Sequence, residues 1–103
     1  MVTSRVKPRF AQERDVSKSS EREAIVGRLV ESMREERIRQ KLSLNEVATR
    51  SGLSHTMVMR VEKRERLPTI DTLLRIADAL EIDLSTVIRH AIRSVRGSGP
   101  AKR

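Results

Sequence analysis

The sequence predicts an all-α fold of five helices, and three observations carry that prediction. Only one of the 103 residues is aromatic, Phe10, so the core has to be built from Leu, Ile, Val, Ala and Met. Packed helices tolerate that palette better than strands, which draw on β-branched and aromatic side chains. Apolar residues recur at spacings of three and four in five separate runs. Between the runs stand Ser43, Ser54, Thr69 and Asp83, the residue types that start helices, together with Gly52 and Pro68, which interrupt them. No strand candidate exceeds a few residues, and no internal repeat is present.

Each helix follows from its own signals. Helix 1 is expected from Glu21 to about Gln40, with Ile25, Leu29, Met33 and Arg37 in one row, and Val26, Val30 and Ile38 close to it. Ser43 and Glu46 form an S-x-x-E capping box, so helix 2 should begin at Leu44 and bury Leu44, Val47 and Ala48. Gly52 ends helix 2 where positive φ costs glycine little, and Leu53 supplies the apolar contact of such a cap.

Ser54 caps helix 3, which turns Val58 and Val61 inward. The connection is three or four residues with a glycine, the sequence form of a helix-turn-helix. Ala48 lies where helix 2 should cross helix 3 closely, so a larger side chain would push the pair apart. Helix 4, capped by Thr69, carries Leu73, Ile76, Ala77 and Leu80 inward. Helix 5, capped by Asp83, runs from Leu84 toward Val95, and the following "RGSGPAKR" cannot continue it.

Charge divides the chain. Residues 1–20 hold five basic and two acidic side chains, residues 93–103 four basic and none acidic, and the nearly neutral middle accounts for little of the net charge of +8. The expected organisation is a flexible basic arm (1–20), a five-helix domain (21–95, helix-turn-helix unit about 44–63) and a flexible basic tail (96–103). Basic arms fit a polyanion, because each Lys or Arg on a phosphate releases a condensed counterion, and charge alone fits solvated, solubilising ends equally well.

Other classes are disfavoured. The absence of cysteine excludes disulfides and thiolate metal sites. His55 and His90 are far apart with no carboxylate cluster to complete a metal site, and no cofactor is expected. No carboxylate pair, activated nucleophile or phosphate-cradling glycine loop suggests an enzyme. Without a signal peptide or a run approaching 18 apolar residues, a cytoplasmic location with no membrane partner is expected.

From Leu29 to Ile88 the chain resembles the lambda-repressor-like (Cro/C1 or XRE-type) helix-turn-helix family. The likeness rests on Arg37 in helix 1, Ala48, Gly52, "VEK" at the end of helix 3, Pro68 and "LLRIADAL" in helix 4. It implies a sequence-specific transcriptional regulator, most simply a dimeric repressor on double-stranded DNA, with helix 3 in the major groove of a pseudo-palindromic operator. It also implies an ion pair between Arg37 and Glu62.

By the same resemblance, His55, Thr56 and Arg60 match base-reading positions, and Met57 and Met59 match positions usually held by small polar residues. Arg60 could address guanine O6 and N7, and Thr56 or an exposed Met59 a thymine methyl. Phosphates are expected at Ser43, Asn45 and Arg50 near helix 2, at Ser54, and at Lys63, Arg64 and Arg66 after helix 3. Two departures matter. Leu44 stands where many members place a glutamine that holds phosphate, and Arg64 replaces the common glycine after helix 3.

The apolar stripe of helix 5 continues past the resemblance, so a homodimer through Val87, Ile88, Ala91, Ile92 and Val95 is expected. The alternative is that this stripe folds onto the domain or onto Val6 and Phe10. The alternative function is an antitoxin or bridging cofactor whose main role is binding a protein partner.

Overall fold

The computed structural model describes residues 3–97, with side chains from Ser19 onward. Five helices follow one another: α1 (Thr3–Arg39), α2 (Leu44–Ser51), α3 (His55–Glu62), α4 (Ile70–Leu80) and α5 (Leu84–Arg96). No strand occurs among the described residues. The architecture is all-α.

Helix starts obey local chemistry. The hydroxyls of Ser43, Ser54 and Thr69 and the carboxylate of Asp83 accept the backbone N–H of Glu46, Met57, Thr72 and Thr86, each three residues on. At α2 the box is reciprocal, the Ser43 N–H donating to Glu46 Oε1 at 2.7 Å. At Asp83 the Ser85 and Thr86 hydroxyls also donate to the carboxylate, at 2.6 and 2.8 Å, and hold its pKa below the ordinary aspartate value.

Helix ends share one geometry. A residue in the left-handed region follows each of the first four helices: Lys41 (φ 60°), Gly52 (74°), Arg64 (62°) and Glu81 (59°). The next residue's N–H then bonds back to the last turn: Leu42 to Arg37 (3.0 Å), Leu53 to Ala48 (3.1 Å), Glu65 to Arg60 (2.8 Å) and Ile82 to Ala77 (3.0 Å). This is the Schellman pattern, expected here only at glycine. Elsewhere the recovered carbonyl partners offset the cost of holding a side chain at positive φ.

Helix 1 departs from expectation at its start. It begins at Thr3 rather than Glu21, so the expected boundary between arm and domain coincides with no break in the helix. Residues 3–20 contain no glycine and a single proline, Pro8, in the second turn. Propagating a helix from an anchored half is far easier than nucleating one. The arm's side chains up to Lys18, including Val6 and Phe10, lie outside the described residues, as do residues 98–103 of the expected tail.

The core draws on all five helices. Leu29, Val30 and Met33 of α1 meet Val47 and Ala48 of α2, Val58 and Val61 of α3, Leu73, Ile76, Ala77 and Leu80 of α4, and Leu84 and Ala91 of α5. Leu42, Leu53 and Ile82, each just after a left-handed residue, pack against it and close those turns with apolar surface. Ile38, read as part of the α1 stripe, is 49 % exposed. It lies one residue past Arg37, a rotation of about 100° away from the buried row.

Helix 5 packs along α1, and Arg96 Nε reaches Glu21 Oε2 at 3.3 Å. The stripe expected to await a second copy is therefore partly used within the chain. Ala91 is only 1 % exposed and is a core residue, which removes it from the expected dimer interface. Val87 and Ile88 are half-buried against the core, and Ile92 and Val95 are half-buried. Of the six positions of the stripe, Leu84 and Ala91 are buried and the other four are half-buried.

Candidate nucleic-acid interface

Helices α2 and α3 pack against each other across the Gly52 turn. Ala48, 4 % exposed, is the small residue buried in that pair, and Val58 and Val61 turn α3's other side into the core. What remains outward follows from the helical period. His55, Thr56 and Arg60 are exposed, Met59 is half-buried, and Met57 is half-buried against the core. The two methionines thus divide. Met57 fills a gap at the edge of the core, a common use of its flexible side chain, while Met59 shares the outer surface with Arg60.

None of His55, Thr56 and Arg60 makes a side-chain hydrogen bond or ion pair with the described residues. Their donors face outward on a helix whose first turn also leaves backbone N–H groups open, since the Ser54 hydroxyl satisfies only Met57. The face is chemically uncommitted. It can donate to acceptors on base edges or phosphate oxygens.

The positions expected to hold phosphate surround it unevenly. Ser43, Asn45, Ser54, Lys63, Arg64 and Arg66 are exposed. The Ser43 and Ser54 oxygens accept cap hydrogen bonds, which leaves each hydroxyl hydrogen able to donate outward. Arg50 leans across to α4 and donates to the Ala79 carbonyl at 3.4 Å, so part of its capacity links α2 to α4. Arg64 folds back over α1: a methyl group built at Gly27 would come within 2.7 Å of its guanidinium carbon. Leu44 is half-buried against the core and offers nothing polar.

The end of α3 is held by charge. Arg37 donates from Nε to Glu62 Oε2 at 2.7 Å and from Nη2 to Glu62 Oε1 at 3.0 Å, a bidentate pair between side chains each 14 % exposed. Arg37 Nη1 donates to the Leu42 carbonyl at 2.8 Å, and Arg34 approaches Glu62 to 3.8 Å. One guanidinium therefore ties the end of α1, the turn before α2 and the end of α3 together.

Several supporting residues are not visible in the sequence pattern. Gln40 donates to the Leu80 carbonyl at 2.8 Å, and Arg75 to the Ser51 carbonyl at 3.3 Å. Both side chains cross between helices, and no spacing rule reaches across a turn. Gly27 did carry a signal, since an isolated glycine inside a helical run marks close packing. Among the described residues no group of three or more acidic or histidine side chains could hold a metal ion, and no helix is long and apolar enough to cross a membrane.

A helix-turn-helix family model matches residues 33–87, from the end of α1 into α5, which is more than half of the chain. The chain belongs to the Cro/C1-type (XRE) helix-turn-helix family. As a helix-turn-helix protein of this type it is a DNA-binding regulator. The match spans the capped starts of α2, α3 and α4 and the whole outer face of α3. Comparison with curated proteins and with solved structures finds no match.

Proposed function

We propose that the protein is a sequence-specific transcriptional repressor that lays α3 in the major groove of a pseudo-palindromic operator as a homodimer. The observation that supports this best is the uncommitted outer face of α3: His55, Thr56 and Arg60 are exposed with no side-chain partner among the described residues. A surface helix that only covered a core would carry paired or solubilising charges there. Arg60 supplies two parallel donors to a guanine, and Thr56 and Met59 offer methyl contacts to thymine.

Ser43, Asn45, Ser54, Lys63 and Arg66 hold flanking phosphates, with Arg50 and Arg64 contributing only if they leave their present contacts. Repression follows from occupancy of a promoter in the cytoplasm. The two-fold contact uses the half-buried strip of Val87, Ile88, Ile92 and Val95 beside the α1–α5 seam. Sedimentation at tens of micromolar tests this assembly, and a monomer there removes the dimer from the proposal.

Arg60→Ala tests the reading itself. The variant should lose about 1–3 kcal/mol at the preferred site while keeping its affinity for unrelated DNA. Equal losses on both would assign Arg60 to phosphate rather than to a base.

A further inference from the structure

One concave region of the molecule is not used by the outer face of α3. Between α1 and the loop from α3 to α4 lies a groove of about 480 Å³, within the range of small-ligand sites. Its floor is apolar, made by Val26, Val30, Val61, Leu67 and Pro68. Leu67 is 76 % exposed, although a large apolar side chain here could have closed the groove. The other three junctions are closed by Leu42, Leu53 and Ile82; after α3 the equivalent residue is Glu65, which is exposed.

The rim is cationic. Arg22, Arg64 and Arg66 line the groove, and none makes a hydrogen bond or ion pair with the described residues. Two carboxylates, Glu23 and Glu65, share the rim, but both are exposed and paired to none of the three guanidiniums, so the rim stays net positive. Arg64 is placed with particular effect. It occupies a left-handed backbone position that disfavours a side chain, and its guanidinium lies over Gly27, where any Cβ would collide with it. Five open N–H donors are thereby held beside an apolar floor.

We infer that this groove is a binding site for a small amphipathic anion, an apolar chain or ring ending in a carboxylate, with the head on Arg64 and Arg66 and the tail over Val26, Val61 and Leu67. Charge complementarity selects the occupant: an uncharged apolar molecule would leave the guanidiniums unanswered, and a hydrophilic anion would gain nothing from the floor. Arg64 and Arg66 are also among the positions considered above for phosphate contact. The test is made without DNA, so its outcome is independent of that reading.

Decanoate, kept below its micelle-forming concentration, is titrated into the full-length protein, with displacement of the fluorescent probe anilinonaphthalene sulfonate as the readout. Saturable one-to-one displacement is expected, with decanol at least tenfold weaker than decanoate. Arg64→Gly removes the guanidinium and relieves the backbone, so decanoate should bind about tenfold more weakly to a variant whose Tm is not lowered. A loss of binding then cannot be blamed on unfolding. Equal affinity for decanol and decanoate, undiminished binding to Arg64→Gly, or the absence of saturable binding would each overturn the assignment.

Discussion

The turns on either side of α3 share a hydrogen-bond pattern and differ in how they are closed. After α2 the left-handed residue is Gly52 and its successor, Leu53, packs on the core. After α3 the same two places hold Arg64 and Glu65, both exposed. What stands in for the apolar closure is the bidentate pair of Glu62 with Arg37, one residue before the C-cap. The start of α3 is thus fixed by packing and its end by charge. The chain anchors the helix at both ends while leaving the second turn free of apolar filling, which is where the basic residues Lys63, Arg64 and Arg66 emerge.

The packed side should be the less forgiving. Ala48→Leu places three further carbons in the buried contact of α2 with its neighbours, and a loss of about 2–3 kcal/mol is expected in urea denaturation. A variant with unchanged midpoint would mean that the crossing is looser than its burial suggests. On the charged side, Glu62→Gln leaves Arg37 with one strong acceptor fewer in a partly buried place. A loss of about 2 kcal/mol is expected, and a double-mutant cycle with Arg37→Gln should recover part of it. If the two single losses simply add, the pair is not coupled.

The two left-handed residues sharpen the contrast with opposite signs. Gly52→Ala forces a Cβ to φ 74° and within 3.2 Å of the Arg75 guanidinium, and should cost about 1 kcal/mol. Arg64→Gly removes strain at φ 62° and should stabilise by somewhat less than about 1 kcal/mol, because glycine also widens the unfolded ensemble. Thermal melts of the two variants check this, and shifts of the same sign would contradict it.

A smaller effect separates the starts of α2 to α5, because only at α5 is the N-cap residue itself a carboxylate. The Asp83 pKa is lowered, first by the Ser85 hydroxyl and then by Thr86. Its contribution is therefore present above the unfolded aspartate value of about 3.9 and disappears as pH falls through the lower folded value. Asp83→Asn keeps a cap without the charge. Its stability should fall less than that of the parent between about pH 5 and pH 2, as followed by circular dichroism. Parallel curves would show that the cap carries no charge-dependent stability.

How much of this the sequence discloses depends on range. The starts of α2 to α5 were legible because a cap is a contact over three residues, and the outward face of α3 was legible because the helical period fixes which side chains oppose Val58 and Val61. The left-handed positions at Lys41, Arg64 and Glu81 were not, since a non-glycine residue there is held by hydrogen bonds to the preceding turn rather than by its own preference. The start of α1 at Thr3 was hidden because the apolar row that reveals helix 1 begins only at Ile25. The loss of Ala91 to the core depends on how α5 lies along α1, a tertiary fact. The Gly27–Arg64 contact joins residues far apart in the chain, and only the glycine hinted at it.

The reading of DNA by the outer face of α3 is tested most directly by selecting bound sequences from random DNA with the parent protein and with Arg60→Ala. A two-fold symmetric motif is expected for the parent, with one base position in each half-site relaxed in the variant and the rest of the motif kept. An identical motif from both proteins, or no enriched motif from the parent, would contradict it.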